Sequence, residues 1–363
     1  MQPDTHTTTH DNTAAPAPQP KRAGAGSILV KYGLPLLISI GLCYLLFTGV
    51  DFNEMARIIR RDCNFTWIAV ALCLATLSHV IRGARWGIQL AALGIRPGLF
   101  VLTLSIFGTY AVNLVLPRLG ELWRTGWIAK RQDAPFDKVF GSMVADRLAD
   151  TVTVLLITGF TFIIAHSELM RYLSQNTAMY DRVMSMVASP WLWAGCIAVL
   201  AIIAVIFKRY PDNKLIVKIK EFCIGLWKGF AVIGKMKGKG KWLLLTVMLW
   251  GCYFCQLYLA FYAFPVTSEV VDKYGIIASL VCFVLSSISM GVPSNGGIGP
   301  WQWAVIFGLS MFPVAGLTDS YSTAFANLVM GCQTLLLIFL GIFTFITISV
   351  MKHKSTSASH EHV

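Results

Sequence analysis

Six stretches of this sequence are apolar and long enough to cross a lipid bilayer as α-helices, and this feature restricts the possible folds more than any other. Inside a bilayer every backbone polar group needs a partner in the protein, which leaves helices and closed β-barrels as spanning structures. A barrel would show short segments of alternating hydrophobicity instead of continuous runs. The runs therefore predict an all-α polytopic membrane protein, and they occupy residues 33–50, 65–81, 139–165, 190–207, 242–264 and 322–350.

The composition agrees with this class and suggests how the chain is divided. Of the 363 residues, 56% are hydrophobic and 13% are charged, which excludes an ordinary soluble domain. Residues 1–27 are polar and rich in Thr, Ala and Pro, so we expect a disordered tail. We expect one transmembrane domain over residues 28–354, a short polar tail at 355–363 and no soluble catalytic domain.

Two further apolar regions, residues 99–131 and 275–313, are interrupted in the same way. Residues 113–121 and 289–297 each contain a small polar residue, a proline four positions later and a glycine three positions after the proline. Proline and glycine both interrupt helices. Matching interruptions in the two halves of a membrane protein indicate a substrate site at membrane depth. The residues that we expect to form the hinges of these two broken helices are Pro117, Gly120, Pro293 and Pro300.

Basic residues indicate the topology. Residues 208–241 carry ten Lys and Arg, which predicts a cytoplasmic loop. Counting spans from this loop places both termini in the cytoplasm if 99–131 and 275–313 are re-entrant hairpins that begin on opposite sides of the membrane. The predicted architecture is about six full transmembrane helices plus two re-entrant, broken-helix hairpins in an inverted repeat, whose tips meet near the midplane. The expected location is the cell inner (plasma) membrane.

Ionisable residues occur within the first hairpin and in the following span. A charge inside the membrane costs about 2.5–3.5 kcal/mol on insertion scales, so we expect these residues to pair. Arg118, Glu121 and Arg124 are three residues apart and could interact along one helix. The group could be a charge-balanced structural network, or one arginine could exchange its carboxylate for a substrate phosphate. The candidate substrate-binding residues are Asn113, Arg118, Glu121, Arg124, Asp146, Arg147 and Asp150.

The second interruption has a different chemistry, since residues 274–318 contain no charge. A glycine-rich turn that opens a helix N-terminus can bind an anion through its backbone amides. The alternative is a simple turn between two half-helices. The candidate binding residues at this turn are Ser294, Asn295, Gly296, Gly297 and Gly299.

Two other features bear on the site. Arg82 and Arg85 follow the run 65–81, where they would set the topology or contact lipid headgroups. Asp146 and Asp150 are one helical turn apart and could hold Mg²⁺, but Arg147 between them and the lack of a third carboxylate disfavour a metal. No metal site, cofactor or nucleic-acid partner is therefore predicted.

The order of these motifs resembles the transmembrane region of lysylphosphatidylglycerol synthases, a family of flippase-like integral membrane proteins. The resemblance covers roughly residues 30–350 and includes Arg85-Trp86 after the second span. Many members carry a glutamate after the second glycine turn, where this chain has Gln302. The residues that carry the resemblance are Asn113, Pro117, Gly120, Glu121, Arg124, Asp146, Arg147, Asp150, Pro293, Gly296, Gly297 and Gly299.

The resemblance implies a lipid translocator more than an enzyme. In bifunctional members a similar region is joined to a soluble aminoacyl-transferase domain, which this sequence lacks, so lysine transfer to phosphatidylglycerol is not implied. The expected substrate is an anionic phospholipid or a polyprenyl-phosphate-type lipid that moves between leaflets. Two alternatives stay open, namely a membrane-embedded transferase acting on a lipid-phosphate and a non-catalytic partner of a cell-envelope lipid synthase.

Overall fold

The part of the chain that the structure describes is all-α. The computed structural model describes residues 52–360 except 117, 176, 210–212, 214–216, 218–235 and 293. Within these residues no β-strand occurs, so the predicted all-α class is confirmed. The predicted tail 1–27, the predicted span 33–50, Pro117, Pro293 and most of the loop 208–241 lie outside the described residues.

Thirteen helices are present in these ranges. They are α1 Phe52–Asp62, α2 Phe65–Ala92, α3 Leu99–Val115, α4 Leu119–Arg131, α5 Phe136–Ile164, α6 His166–Gln175, α7 Thr177–Ala188, α8 Pro190–Arg209, α9 Lys239–Phe261, α10 Pro265–Tyr274, α11 Ile276–Ser289, α12 Pro300–Ser310 and α13 Asp319–His360.

Four of these helices are long and apolar enough to cross a membrane, namely α2, α5, α9 and the part Asp319–Met351 of α13. They coincide with four of the predicted runs. Helices α10 and α11 are bent by 110° at Gly275 and would add a fifth crossing if they form one span. The chain is therefore a multi-pass membrane protein, with four or five candidate spans in the described residues. Five of the six predicted spans lie in this part of the chain, since the run 33–50 is outside it. Helix α8 covers the run 190–207 but is not among the four.

The first interruption produces a break between α3 and α4, which pack against each other. Arg118 precedes α4 in the left-handed conformation, with φ 62°. The amide of Gly120 donates to Oδ1 of Asn113 at 2.8 Å. A Cβ at Gly120 would collide with the carbonyl oxygen of Thr109, so only glycine allows the two helices to approach this closely.

The second interruption lies between α11 and α12, which also pack together. Pro300 occupies the first turn of α12, a position where its missing amide hydrogen leaves no bond unmade. Gly296, Gly297 and Gly299 all have positive φ, which explains the glycine-rich sequence of this turn.

The two breaks are in direct contact. Nη2 of Arg118 donates to the carbonyl oxygen of Gly291 at 3.0 Å. A Cβ at Gly296 would lie 2.7 Å from Cδ2 of Leu114, so the second turn is seated closely against the end of α3. Residues separated by more than 170 positions in sequence thus meet where both pairs of helices are interrupted.

The interior is divided into apolar clusters. The larger one lies mainly among the helices from α9 through α13 and includes the fully buried Phe261, Phe264 and Phe325. A smaller one joins α2, α3, α4 and α5 around Trp86 and Ile128. Large apolar side chains on the outer faces of α5 and α13 are exposed, which is typical of surfaces that face lipid. The smaller cluster positions the charged residues described next.

Alanine substitutions at two glycines of α4 should separate close helix packing from helix propensity. Gly120→Ala should lower the melting temperature in detergent, because relieving such an overpacked contact typically costs about 1–3 kcal/mol. Gly126→Ala on the same helix meets no atom within 4 Å. It should leave the melting temperature unchanged or raise it, since alanine favours helix over glycine by about 1 kcal/mol. Equal effects of the two substitutions would contradict the close packing of α3 and α4.

Candidate functional site

A network of buried charged residues lies where α2, α4 and α5 meet. Arg82, Arg85 and Arg124 are at most 4% exposed, and Asp146 is fully buried. So much buried charge in a membrane protein is costly and indicates a functional site. The members of the network are Arg82, Arg85, Glu121, Arg124, Asp146, Arg147 and Asp150.

Ion pairs join α2 to α5. Nη2 of Arg85 donates to Oδ1 of Asp146 and to Oδ1 of Asp150, both at 2.7 Å. Nη2 of Arg82 donates to Oδ2 of Asp150, also at 2.7 Å. The arginines are three residues apart and the aspartates four, so each pair lies on one face of its helix. The spacing therefore makes the two faces complementary.

A second link joins α4 to α5. Nη2 of Arg147 donates to Oε1 of Glu121 at 2.8 Å. Nδ2 of Asn113 donates to Oε2 of Glu121 at 3.2 Å. Because Asn113 also binds the amide of Gly120, these contacts hold the first break against α5.

Arg118, Glu121 and Arg124 form no hydrogen bonds with one another along one helix in the described residues. Helix α4 begins at Leu119, so Arg118 lies before the helix, is exposed and binds Gly291 instead. Glu121 pairs with Arg147 of α5, and Arg124 is 0% exposed inside the network. Spacing along the chain could suggest neighbours within α4 but not the partners supplied by α5.

Arg124 differs from the other arginines of the network because it has no hydrogen-bond partner among the described residues. Its guanidinium carbon lies 4.3 Å from the ring centroid of Trp86, and the indole nitrogen of Trp86 donates to Oγ of Ser142 at 3.1 Å. None of the three guanidinium nitrogens of Arg124 has a hydrogen-bond partner among the described residues. A cation–π contact contributes about 2 kcal/mol when desolvated, less than the several kcal/mol that burying an ion costs. Arg124 is therefore a poorly compensated buried cation.

The numbers of positive and negative groups in the network also indicate that Arg124 is poorly compensated. Within the described residues the network has four guanidinium groups and three carboxylates, which leaves one positive charge in excess. A balanced network of three arginines and three carboxylates, the first alternative drawn from the sequence, does not form in the described residues, because Arg118 lies outside the network whereas Arg82 and Arg85 belong to it. The excess falls on Arg124, since each of the other three arginines contacts a carboxylate.

The expected contact of Arg82 and Arg85 with lipid headgroups needs correction. Helix α2 continues to Ala92, and the two side chains are 4% and 0% exposed inside the protein. Two arginines usually indicate the membrane surface, which is why the predicted span ends at residue 81. The available signal for buried pairs was that Asp146 and Asp150, like the two arginines, are about one helical turn apart.

Two polar residues of α2 in this region were not predicted from the sequence. His79 and Gln89 are each 3% exposed, and their side-chain nitrogen and oxygen atoms lack hydrogen-bond partners in the described ranges. The ring of His79 lies 4.6 Å from that of Tyr110. Their spacing from Arg82 and Trp86 by one helical turn was a readable signal, since it forms a polar stripe on an apolar helix.

The glycine-rich turn is only partly available as an anion site. Its Gly299 amide donates to Oε1 of Gln302 at 2.6 Å, and Nε2 of Gln302 donates to Oδ1 of Asn327 at 3.2 Å. Oγ of Ser294 faces the Val292 carbonyl at 3.4 Å, while Oδ1 of Asn295 is buried without a partner in the described chain. No hydrogen bond among the described residues joins Ser294 or Asn295 to the arginine network.

Metal ligands do not cluster in the described part of the chain, where no three His, Cys, Asp or Glu side chains come together. Asp146 and Asp150 are both occupied by arginines. The two aspartates that could hold a metal therefore bind arginine instead.

Comparison with known proteins supports the expected resemblance. The model of the lysylphosphatidylglycerol synthase TM region matches residues 33–341. A UPF0104 membrane protein of Methanocaldococcus jannaschii is 21% identical over 303 residues, which cover 79% of this chain and 86% of that protein. Glycosyltransferase AglD of Haloferax volcanii is 27% identical over 129 residues, or 35% of this chain and only 20% of that protein. No solved structure matches the chain.

Removing one partner of the buried pairs should cost far more stability than removing a partner of the outer pair. Arg85→Met leaves Asp146 buried without its donor, a change that typically costs about 3–5 kcal/mol. Arg147→Met affects a pair whose arginine is 35% exposed, so its loss should be much smaller. The measurement is unfolding in mixed micelles by SDS titration.

A double variant supplies the control for this prediction. Adding Asp146→Asn to Arg85→Met should recover part of the lost stability, because no unpaired carboxylate then remains at that position. Equal losses for Arg85→Met and Arg147→Met, or no recovery in the double variant, would contradict the assigned pairs.

Proposed function

The chain belongs to the lysylphosphatidylglycerol synthase transmembrane-region family, and we propose that it is a lipid translocator. It moves an anionic phospholipid or a polyprenyl-phosphate-type lipid between the two leaflets. The observation that carries this proposal is Arg124, a fully buried arginine without a hydrogen-bond partner among the described residues. The headgroup crosses the polar interior while the lipid tails stay in the surrounding bilayer.

Arg124 has the chemistry of a phosphate-binding group. A guanidinium ion can donate two parallel hydrogen bonds to a phosphate, and such charge-assisted bonds are among the strongest in proteins. Trp86 covers one face of the guanidinium and leaves its N–H edges free to donate. A lipid phosphate at this position would supply the negative charge that the network lacks.

The other charged residues then have a structural role that supports binding. Arg82, Arg85 and Arg147 are held by Asp146, Asp150 and Glu121, and these pairs fix α2 and α4 against α5. Arg124 can therefore receive a phosphate without breaking any of these pairs. The proposal thus combines both interpretations of the sequence, with one arginine for the substrate and three for the framework.

We further propose that the two breaks lie within the bilayer, as the tips of re-entrant hairpins in an inverted repeat with six full spans. The support is their mutual contact through Arg118 and Gly291, together with exposed apolar side chains beside it. Val115 is 72% exposed and Met290 49% exposed, and such side chains favour lipid over water. Rocking of one hairpin against the other would alternate access from the two leaflets.

The remaining expectations belong to the same proposal. Residues 28–354 form one transmembrane domain between two polar tails, the protein resides in the plasma membrane and both termini are cytoplasmic. The Lys- and Arg-rich residues 208–241 support this orientation through the positive-inside rule.

A membrane-embedded transferase that acts on a lipid-phosphate is the second candidate. It is favoured by the similarity to a protein named as a glycosyltransferase, although the match spans 20% of that protein. A transferase would need a base, and the buried aspartates Asp146 and Asp150 are the obvious candidates. Each is engaged by arginine, so it would have to release an ion pair before it could accept a proton. This requirement favours the translocator.

Leaflet exchange in vesicles tests the proposal. Purified protein is reconstituted with a fluorescent phosphatidylglycerol, and dithionite quenching follows movement between leaflets. Arg124→Met should reduce exchange at least about 100-fold, because two charge-assisted hydrogen bonds of about 1.5–3 kcal/mol each are lost. Its stability should be unchanged or higher, since an apolar residue of similar volume replaces an unpaired buried charge.

Arg131→Met is the matched control, because Arg131 is an exposed arginine of the same helix. It should exchange lipid at the rate of the unmodified protein. Exchange by a folded Arg124→Met variant at the full rate would refute the proposed role of Arg124. Product formed from a lipid-phosphate without leaflet exchange would favour the transferase, and neither activity would favour a non-catalytic partner of a lipid synthase.

A further inference from the structure

The charge of the buried network limits the charge of the headgroup that can enter it. The network has one uncompensated positive charge in the described residues, on Arg124. A buried ligand is stable only where its charge is matched, because an unpaired ion in a low-dielectric interior loses its hydration without compensation. The inference rests on the translocator function proposed above. Under that function, the charge balance distinguishes between an anionic phospholipid and a polyprenyl-phosphate-type lipid, the two substrate classes that the sequence left open.

The other arginines cannot easily neutralise a second ligand charge. Arg85 contacts two aspartates, Arg82 contacts Asp150, and Arg147 contacts Glu121, all at 2.7 or 2.8 Å. Moving any of them to the ligand would leave a carboxylate without its main donor. A ligand with two negative charges would therefore leave either itself or a carboxylate uncompensated.

The shape of the Arg124 site agrees with a single charge. One face of the guanidinium lies on Trp86, and its N–H groups lie in one plane without hydrogen-bond partners among the described residues. Two of these can bind the two non-bridging oxygens of a phosphodiester, which share one negative charge. A phosphomonoester has a third oxygen and carries about −1.5 to −2 charges at pH 7.

A cationic headgroup meets the opposite difficulty. Each of the three carboxylates in the network already has an arginine as its counter-ion, so none has a negative charge left to balance an ammonium group. One carboxylate oxygen, Oδ2 of Asp146, has no hydrogen-bond partner among the described residues, and the same holds for the amide of Gln89. Both are suited to neutral hydroxyl groups of a headgroup alcohol, which need a partner but no counter-charge.

We propose that the Arg124 site selects lipids with a singly charged phosphodiester and an uncharged, hydroxyl-bearing headgroup. It rejects dianionic phosphomonoesters and headgroups with a net positive charge, so phosphatidylglycerol is accepted whereas polyprenyl phosphate at alkaline pH and lysyl-phosphatidylglycerol are not. Arg124 supplies the positive charge that binds the phosphate. The other arginines are already paired with carboxylates, so neither a second negative charge nor a positive charge on the ligand would be balanced.

The test compares leaflet exchange of fluorescent phosphatidylglycerol, lysyl-phosphatidylglycerol and polyprenyl phosphate in vesicles at several pH values. At pH 8 we expect phosphatidylglycerol to exchange at least about tenfold faster than either of the others, a difference of about 1.4 kcal/mol. The second pKa of a phosphomonoester is about 6, so polyprenyl phosphate becomes a monoanion as the pH falls. Its exchange should then rise towards that of phosphatidylglycerol, whose single charge does not change over this range.

Glu121→Gln should shift this selectivity. The substitution removes the carboxylate that holds Arg147 and raises the excess charge of the network to two, while the amide oxygen of glutamine can still accept from Arg147. The ratio of polyprenyl phosphate to phosphatidylglycerol exchange at pH 8 should increase at least about tenfold. Glu168→Gln, which affects the separate pair with Arg171 on α6, is the control and should leave the ratio unchanged.

Each outcome has a distinct meaning. Equal exchange of phosphatidylglycerol and polyprenyl phosphate at pH 8, or full exchange of lysyl-phosphatidylglycerol, would overturn the charge selectivity and leave the translocator intact. An unchanged ratio in a folded Glu121→Gln variant would also overturn it. Absence of exchange for every lipid, in protein shown to be folded, would refute the translocator and with it the selectivity.

Discussion

The ion pairs between α2 and α5 are the interaction on which the rest of the structure depends. Arg85 binds both Asp146 and Asp150 at 2.7 Å in an interior without exposure to solvent, and Arg82 completes the set. Such pairs are poor sources of stability, because the desolvation of both ions offsets most of their attraction. They do fix the relative position of two helices, since any shift leaves a buried charge unpaired. The α4 hairpin is then attached to this frame through Glu121.

The frame leaves one arginine available for the proposed ligand. Arg124 of α4 is 0% exposed and lacks a hydrogen-bond partner among the described residues, and Trp86 of α2 covers one face of its guanidinium. The break before α4 in turn contacts the second break through Arg118 and Gly291. In the proposed translocator, this contact would transmit a movement of the second hairpin to α4, the helix that carries Arg124. The proposed binding of the phosphate and the proposed motion of the hairpins would then involve the same helix.

Much of the fold could be predicted from local sequence, because apolar length and helix-breaking residues act locally. The runs 65–81 and 322–350 became helices, and the interruptions near Gly120 and Gly296 became breaks. The sharp bend at Gly275 was missed, although a glycine with positive φ is the usual means of such a turn.

The composition of the site could be predicted in part, since Glu121, Arg124, Asp146, Arg147 and Asp150 were all singled out and do converge. Their pairing could not be predicted, because Arg85 and Asp146 are 61 positions apart and only the packing of α2 on α5 brings them together.

A cryo-electron microscopy structure in nanodiscs that contain phosphatidylglycerol would test the central claim most directly. The account predicts density for a lipid phosphate in the plane of the Arg124 guanidinium, with N–O distances of about 2.7–2.9 Å, and with the Arg85–Asp146 pair unchanged. Density that instead shows a carboxylate of the protein bound to Arg124, with no phosphate nearby, would contradict it.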